Sequence, residues 1–276
     1  MNQIQPYFTS TDKKFHLIKG DSLQILPELK ENTVDLIFAD PPYFLTTSEQ
    51  SLRFKGRWDI SRGFEQDFLF QDTWIKECFR LLKPDGTIWI TGTHHSIYQC
   101  GFALQKNGFE IINDICWYKP SRRFIANKHN LAFSHELIIF AKKKENTRPY
   151  MNWKTLFSSQ DKFHKDGLTM PTIWDIKPCS KAEIDWHRTP KPVELLTRII
   201  MLATKPGAVI LDPFNGSGTT GIATTICGSG RVYIGIDQDE TEPNKTVSYL
   251  DETIKRYERL QHDQRSHIAT LTKAAA

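Results

Sequence analysis

The chain has 276 residues, 39% of them hydrophobic and 25% charged, which excludes a disordered polymer and allows one large α/β domain. No run approaches the roughly 20 apolar residues needed to cross a bilayer, and residues 1–7 lack a basic flank followed by an apolar core, so neither membrane span nor signal peptide is expected. The net charge is only +4, yet residues 119–165 carry eleven Lys or Arg against three Asp or Glu, leaving the remainder slightly acidic. A basic segment on a neutral body is the electrostatic footprint of a nucleic-acid binder. The five cysteines (Cys78, Cys100, Cys116, Cys179, Cys227) show no C-x-x-C spacing. They read as reduced core thiols in a cytoplasmic protein, with no metal site expected.

Taken in order, residues 16–18 predict a short strand ending at Gly20-Asp21, and Leu23, Leu26 and Leu29 give a weak helical spacing interrupted by Pro27. Residues 34–39 form an apolar, partly β-branched run, the pattern of a strand buried on both faces. It breaks at Asp40-Pro41-Pro42-Tyr43, where two prolines fix φ near −65° and remove two N–H donors, so neither helix nor ladder continues. Such a turn at the carboxyl end of a central strand holds Asp40 and Tyr43 where open α/β sheets bind ligands. Residues 46–63 read as a long polar loop carrying Arg53, Lys55, Arg57, Trp58 and Arg62. Trp74, Ile75, Cys78, Phe79 and Leu82 predict a helix over 70–82, which Lys83-Pro84-Asp85-Gly86 should end before a strand at 87–91.

A helix is expected at 96–106, then strands at 109–118 and 134–141 joined by a basic connector. Residues 142–190 show little periodicity, with Tyr150, Trp153, Phe157, Phe163, Trp174 and Trp186 scattered among charges, and read as an irregular insert outside the sheet. Val193, Leu196, Ile199 and Ile200 restore a helical spacing, followed by a strand at 208–211, a helix at 219–227 and a strand at 232–236. Val247, Leu250, Ile254 and Tyr257 share one face of a last helix, with a frayed tail from 261. Strands alternating with helices predict a doubly wound, mainly parallel Rossmann-like sheet.

The second informative stretch reads Asp212-Pro-Phe214-Asn215-Gly216-Ser217-Gly218-Thr219-Thr220-Gly221. It follows a strand, opens a helix, matches G-x-G-x-x-G, and is followed about twenty residues on by Asp237 at the end of the next strand. Glycines let the backbone approach a ligand, and an acid at the next strand end binds ribose hydroxyls. A nucleoside triphosphate would want a lysine after the glycines, and none follows Gly221 in that register. NAD remains open from the glycines alone. S-adenosylmethionine has a ribose but no phosphate, and Asp212 suits its sulfonium and amino groups.

With both constellations in view, the chain resembles the β-class of S-adenosylmethionine-dependent DNA amino-methyltransferases of bacterial restriction–modification systems. The adenine-N6 type is the nearest, through Phe38-Ala39-Asp40 ahead of the prolines. The resemblance covers about residues 15–260, with the catalytic Asp40–Tyr43 element before the Phe214–Gly218 cofactor element. It implies one methyltransferase domain over 1–276, circularly ordered with the catalytic motif first, and an inserted target-recognition region at about 119–187. It also implies cofactor contacts from Asp21 of Gly20-Asp21-Ser22-Leu23 and from Thr189 and Lys191 of His187-Arg188-Thr189-Pro190-Lys191-Pro192. Trp117-Tyr118-Lys119 is similar to the family's Trp-x-Lys strand end. The expected substrate is double-stranded DNA, single-stranded DNA being possible too. A homodimer and a cognate restriction endonuclease are left open as partners. The alternative on the same scaffold is a cytosine-N4 enzyme, whose motif more often begins with serine.

The resemblance assigns Asp40 and the Pro41 carbonyl as acceptors for the two N–H bonds of a flipped-out amine, which pyramidalises its nitrogen toward the methyl donor. Tyr43 is expected to stack on the flipped base. Phe44 reads as core packing beside the turn. Lys142, Lys143 and Lys144 are expected to contact DNA phosphates.

Overall fold

The computed structural model describes residues 4–45, 59–119, 129, 131–144, 148–152, 170–180, 183–239 and 247–274, with backbone only beyond 263. In chain order the strands are β1 (Phe8–Thr9), β2 (Phe15–Lys19), β3 (Val34–Ala39), β4 (Leu82–Gly92), β5 (Phe109–Tyr118), β6 (His135–Lys143), β7 (Ile173–Asp175), β8 (Val209–Asp212) and β9 (Val232–Asp237). The helices are α1 (Ser22–Ile25), α2 (Phe64–Leu81), α3 (Ile97–Lys106), α4 (Val193–Ala203), α5 (Thr219–Cys227) and α6 (Tyr249–Ala274). None of the described helices is long and apolar enough to cross a membrane.

The nine strands form one sheet in the order β1-β2-β9-β8-β3-β4-β6-β5-β7. From β2 through β4 every pairing is parallel, while β6 runs antiparallel to both β4 and β5. β3 therefore sits between β8 and β4, and its carboxyl end opens beside theirs. This is the place where successive crossovers diverge and a parallel sheet leaves a crevice.

Apolar residues fill both faces, as a sheet covered on both sides requires. On one side Leu36, Phe38, Trp89 and Phe140 pack with Leu195, Leu196, Ile199 and Ile200 of α4. On the other Ile37, Ala39, Ile88 and Ile90 pack with Trp74, Ile75 and Cys78 of α2 and with α3.

Four expectations are corrected. The helix predicted over 70–82 begins earlier, at Phe64, with Glu65 and Asp67 in its first turn, where negative charge favours the helix N-terminus. Lys83–Gly86 does not separate α2 from the next strand. The ladder passes from Val34–Leu82 directly to Leu36–Thr87, so these residues bulge within β4. Asp35 stabilises the bulge by accepting from Lys83 Nζ at 2.7 Å and from the Val209 amide at 2.8 Å. Residues 142–190 also contribute to the sheet, since β7 pairs in parallel with β5. Trp174 is buried there near Trp89, itself stacked on Phe140 at 4.1 Å, and the indole N–H of Trp117 donates to the Ile176 carbonyl at 2.8 Å. Trp153, Phe157 and Phe163 lie outside the described residues. Finally, the tail expected to fray continues α6 to Ala274.

Gly221 fixes how closely α5 approaches the sheet. A Cβ there would lie 2.6 Å from ring carbons of both Phe15 and Tyr233. Those rings are buried and packed on each other at 5.0 Å, so neither can swing away. We expect Gly221→Ala to destabilise the fold by about 1–3 kcal/mol through overpacking. Urea unfolding measures this directly; an unchanged midpoint would mean that α5 can retreat from the sheet at no cost.

Candidate active site

The Asp40–Tyr43 turn leaves the end of β3. Its path is held by the Tyr43 amide, which donates to Asp59 Oδ1 at 2.9 Å, and by Gln71, whose side-chain amide reaches the Pro42 carbonyl at 3.5 Å. Phe44 has φ +56°, uncommon for a residue with a side chain, and packs edge-on against Phe70 at 5.7 Å. Phe44 also stands on the wall of the cleft and is only partly buried, so core packing is not its whole role.

The Asp40 carboxylate accepts from three donors. Oδ1 receives Thr91 Oγ1 at 2.6 Å and the Tyr43 hydroxyl at 2.7 Å, and Oδ2 receives Lys191 Nζ at 2.5 Å. Burial pushes the carboxyl pKa up, but Lys191 first, then Thr91 and Tyr43, pull it down, so it lies below the ordinary aspartate value. Asp40 is therefore held ionised. The Tyr43 hydroxyl is pushed well above its ordinary pKa by burial and by the Asp40 charge, so it stays a donor. Burial lowers the pKa of Lys191, which is 7% exposed, but Asp40 and Glu136 raise it further, and it remains an ammonium.

The second half of the site is the loop after β8. Asp212 is buried and accepts from the Phe214 amide at 3.0 Å and from Thr220 Oγ1 at 2.5 Å. Phe214 packs edge-on against Trp74 at 5.3 Å, anchoring the loop on α2. Asn215 accepts from the Tyr233 hydroxyl at 2.8 Å and is 4% exposed, which makes it an internal strut. The Gly216 amide donates to Asp237 Oδ2 at 2.7 Å, tying the glycine loop to the end of β9. Gly218 has φ +71° and starts α5; a Cβ on it would come within 2.3 Å of Thr253. Ser217 Oγ meets Thr219 Oγ1 at 3.0 Å, and Arg256 clamps the Ser217 carbonyl at 2.5 Å.

Both halves open into one cleft of about 1220 Å³. Asp40, Pro41, Pro42, Tyr43, Asp212, Phe214, Asn215, Gly216, Ser217, Thr219 and Asp237 all line it, joined by Asp21, Thr189 and Lys191 from distant parts of the chain. Of the residues expected at the site, only Gly218 is not on its wall. Asp21 also caps α1, accepting from the Leu23 amide at 2.9 Å. Lys191, expected only at the cofactor, turns out to be the ion-pair partner of Asp40. Thr91 and Glu136 went unrecognised, because nothing in a strand-end threonine or a single Glu marks it as part of the site, while Lys119, singled out within Trp117-Tyr118-Lys119, is ion-paired with Glu136 on the cleft wall.

Lys142 and Lys143 do not suit the phosphate role expected of them, whereas Lys144 is exposed. Lys142 is ion-paired with Glu110 at 2.8 Å, and Lys143 is buried against the Phe79 ring and bonded to Asn32. They lie at the opposite end of β6 from Glu136, which lines the cleft. Arg53, Lys55, Arg57 and Trp58 lie outside the described residues, while Arg62 is on the cleft wall.

Burial pushes the Asp212 carboxyl up to about 7, against the pull of Thr220 and the Phe214 amide. An acid whose folded pKa is raised binds its proton more tightly in the folded state. Its contribution to stability is complete below the unfolded value of 3.8 and is lost as pH rises through about 7. Thermal unfolding of wild type and Asp212→Asn across that window should show a falling component in wild type only. An identical pH dependence in both would assign the titration to another group.

A family profile described as DNA methylase matches residues 34–247. The chain is 38% identical over 267 residues to the Type II methyltransferase M2.MboI of Moraxella bovis, covering 92% of each chain. It is also 38% identical to M2.DpnII of Streptococcus pneumoniae, covering 86% of this chain and 88% of the relative. Among solved structures, the M1.HpyAVI–SAM complex superposes with a TM-score of 0.63 at 25% identity, over 88% of this chain and 98% of that one. The cytosine-N4-specific PvuII DNA methyltransferase shares the fold, with a TM-score of 0.64 at 18% identity over 94% and 95% of the two chains. A carboxylate-and-proline turn facing a glycine loop across the crevice of a parallel sheet, in a chain matched nearly end to end, places this protein in the DNA methylase family.

Proposed function

We propose that this DNA methyltransferase transfers the methyl group of S-adenosylmethionine to the N6 amine of an adenine flipped out of double-stranded DNA, with Asp40 as the acceptor that orients the amine. The observation that carries this reading is an ionised Asp40 on the same cleft wall as the Asp212–Asp237 loop.

The cofactor fits the residues present. Gly216 turns at φ +49°, and a Cβ there would stand 3.0 Å from His187 Nε2, so the missing side chain keeps the cleft open at that point. Asp237, at the end of β9, suits a ribose diol while its Oδ2 holds the Gly216 amide. Asp212 favours a cation: an amino or sulfonium group beside it would stabilise its ionised form, which burial alone disfavours. Asp21 is assigned to the adenine end, and Thr189 to the methionine end. When bound, S-adenosylmethionine supplies an electrophilic methyl group on sulfur.

The chain's own residues supply orientation and charge. Asp40 and the Pro41 carbonyl accept from the target amine, and Pro41 has no N–H to compete. Their negative ends face the nitrogen on which positive charge develops, which stabilises the transition state. Tyr43 keeps its ring in the cleft while its hydroxyl is held on Asp40, so the ring is pre-positioned to stack on a flipped base. No cysteine nucleophile is needed, and Cys78 and Cys100 are buried with their thiol pKa values pushed up by burial.

Target recognition is assigned to the region 119–187 of a single domain, on its charge excess. Because 135–143 and 173–175 are sheet strands, base readout falls to the stretches that connect them. The wider reading, a cytoplasmic restriction–modification enzyme with a homodimeric form and a cognate endonuclease, rests on the resemblance to such systems.

Incubation with methyl-labelled cofactor and DNA, followed by nucleoside analysis, should yield N6-methyladenine; N4-methylcytosine would replace the substrate assignment. Asp40→Asn, which keeps the shape but removes the charge, should slow single-turnover transfer by roughly 10²-fold or more while cofactor still binds. Transfer within a few-fold of wild type would remove Asp40 from the chemistry. Asp237→Ala should weaken cofactor binding about tenfold or more by calorimetry, since a hydrogen bond to a charged group is worth about 1.5–3 kcal/mol. An unchanged affinity would put the ribose elsewhere.

A further inference from the structure

Four charged side chains of alternating sign run along the cleft wall. Lys119 Nζ is bonded to Glu136 Oε1, Glu136 Oε2 lies 4.0 Å from Lys191 Nζ, and Lys191 Nζ is 2.5 Å from Asp40 Oδ2. Glu136 Oε2 is buried with no hydrogen-bond partner among the described residues. A buried carboxylate oxygen left without a donor is costly and calls for a physical reason. The nearest cation is Lys191, whose ammonium has three N–H groups.

Asp40 presents the complementary difficulty. An ionised carboxylate offers about four acceptor positions, and three are already taken by Thr91, Tyr43 and Lys191. Positive charge develops on the target nitrogen as the methyl group arrives. An ammonium seated on the same carboxylate opposes that charge by like-charge repulsion and weakens the acceptor. The two neutral donors, Thr91 and Tyr43, fix the orientation of Asp40 without this penalty.

We infer that Lys191 changes partner during turnover, leaving Asp40 for Glu136 Oε2 as the target amine takes its place. Glu136 is then the positioning residue that holds Lys191 off Asp40 in the reactive state. The gap to be closed is the difference between 4.0 Å and an ordinary charge-assisted hydrogen bond of about 2.8 Å, within reach of a lysine rotamer change. Lys191 remains ion-paired in both positions, and Asp40 exchanges the ammonium for the target amine while keeping its bonds from Thr91 and Tyr43. Lys119, bonded to the other oxygen of Glu136, holds that carboxylate in place to receive it. The inference rests on Asp40 being the acceptor of the target amine.

The test is a double-mutant cycle on the full chain, read as the single-turnover methyl-transfer rate at saturating DNA and S-adenosylmethionine, with both dissociation constants measured alongside. Glu136→Gln, isosteric but uncharged, leaves Lys191 on Asp40 and should slow transfer about tenfold with both dissociation constants unchanged. Lys191→Met should retain measurable transfer, and in that background Glu136→Gln should have no further effect. An equal cost in both backgrounds would show that Glu136 acts through Lys119 or the fold, and would overturn the inference. So would a wild-type rate for Glu136→Gln, or a Lys191→Met enzyme without detectable transfer. If Glu136→Gln does not fold, Lys119→Met/Glu136→Gln removes both charges of the outer pair and takes its place under the same criteria. Asp40→Asn in the same assay separates the two levels: full activity there removes Asp40 from the chemistry, whereas loss of activity with an additive cycle refutes only the movement of Lys191.

Discussion

The contact on which the site depends is the ion pair between Asp40 and Lys191, two residues 151 positions apart in sequence and both largely removed from water. Desolvating two charges costs several kcal/mol per ion, and their attraction offsets this only when the remaining lone pairs are also satisfied. Thr91 from β4 and Tyr43 from the turn complete that set for Asp40. The pair thus couples three parts of the chain: the end of β3, the end of β4 and the segment that leads into α4. A shift in any of them would strand a buried charge.

That coupling has a functional side. A carboxylate already ionised, and oriented by Thr91 and Tyr43, does not itself have to turn when an amine reaches it, which is the condition for electrostatic preorganisation. A Tyr43 hydroxyl engaged with the same carboxylate orients its ring by the same bond. In the half built around the glycine loop, backbone amides take a larger part. Asp237 accepts from the Gly216 amide and from the Asp239 amide at 2.7 Å each, so the glycine loop is shaped by the acid that follows it. Asp212 accepts from a hydroxyl and an amide, and burial, with the charges of Asp40 and Asp237, pushes its carboxyl up, while that of Asp40 is held down by Lys191.

The sheet order explains how the halves meet. β3 is flanked by β8 and β4, and β9 lies beyond β8, so Asp40, Thr91, Asp212 and Asp237 all emerge at the carboxyl ends of adjacent strands. Antiparallel β6 enters beside β4 with its N-terminal end at the same edge, which delivers Glu136 to the cleft and sends Lys142 and Lys143 to the far end. The reversal of one strand therefore decides which charges of the basic region reach the chemistry. Lys119, at the end of β5, is on the cleft side for the same reason.

Local chemistry was enough to read the two motifs from the sequence. Prolines that cannot enter a ladder and glycines that open a strand-to-helix turn act within a few residues of themselves, so the Asp40–Tyr43 turn, the Asp212–Gly221 loop and the alternation of strands and helices were all legible there. The register-dependent features were not. The Lys83–Gly86 bulge resembles a stop signal, and only pairing with β3 and the Asp35 contacts keeps it in the strand. Trp174 looked like one of several scattered aromatics until β7 paired with β5 and buried it. Lys191 carried no mark of its partner, and Glu136 and Thr91 none at all, because an ion pair between distant segments has no sequence period. Such pairs are determined only when the sheet closes and the low-dielectric interior makes every unpaired charge too costly to leave alone.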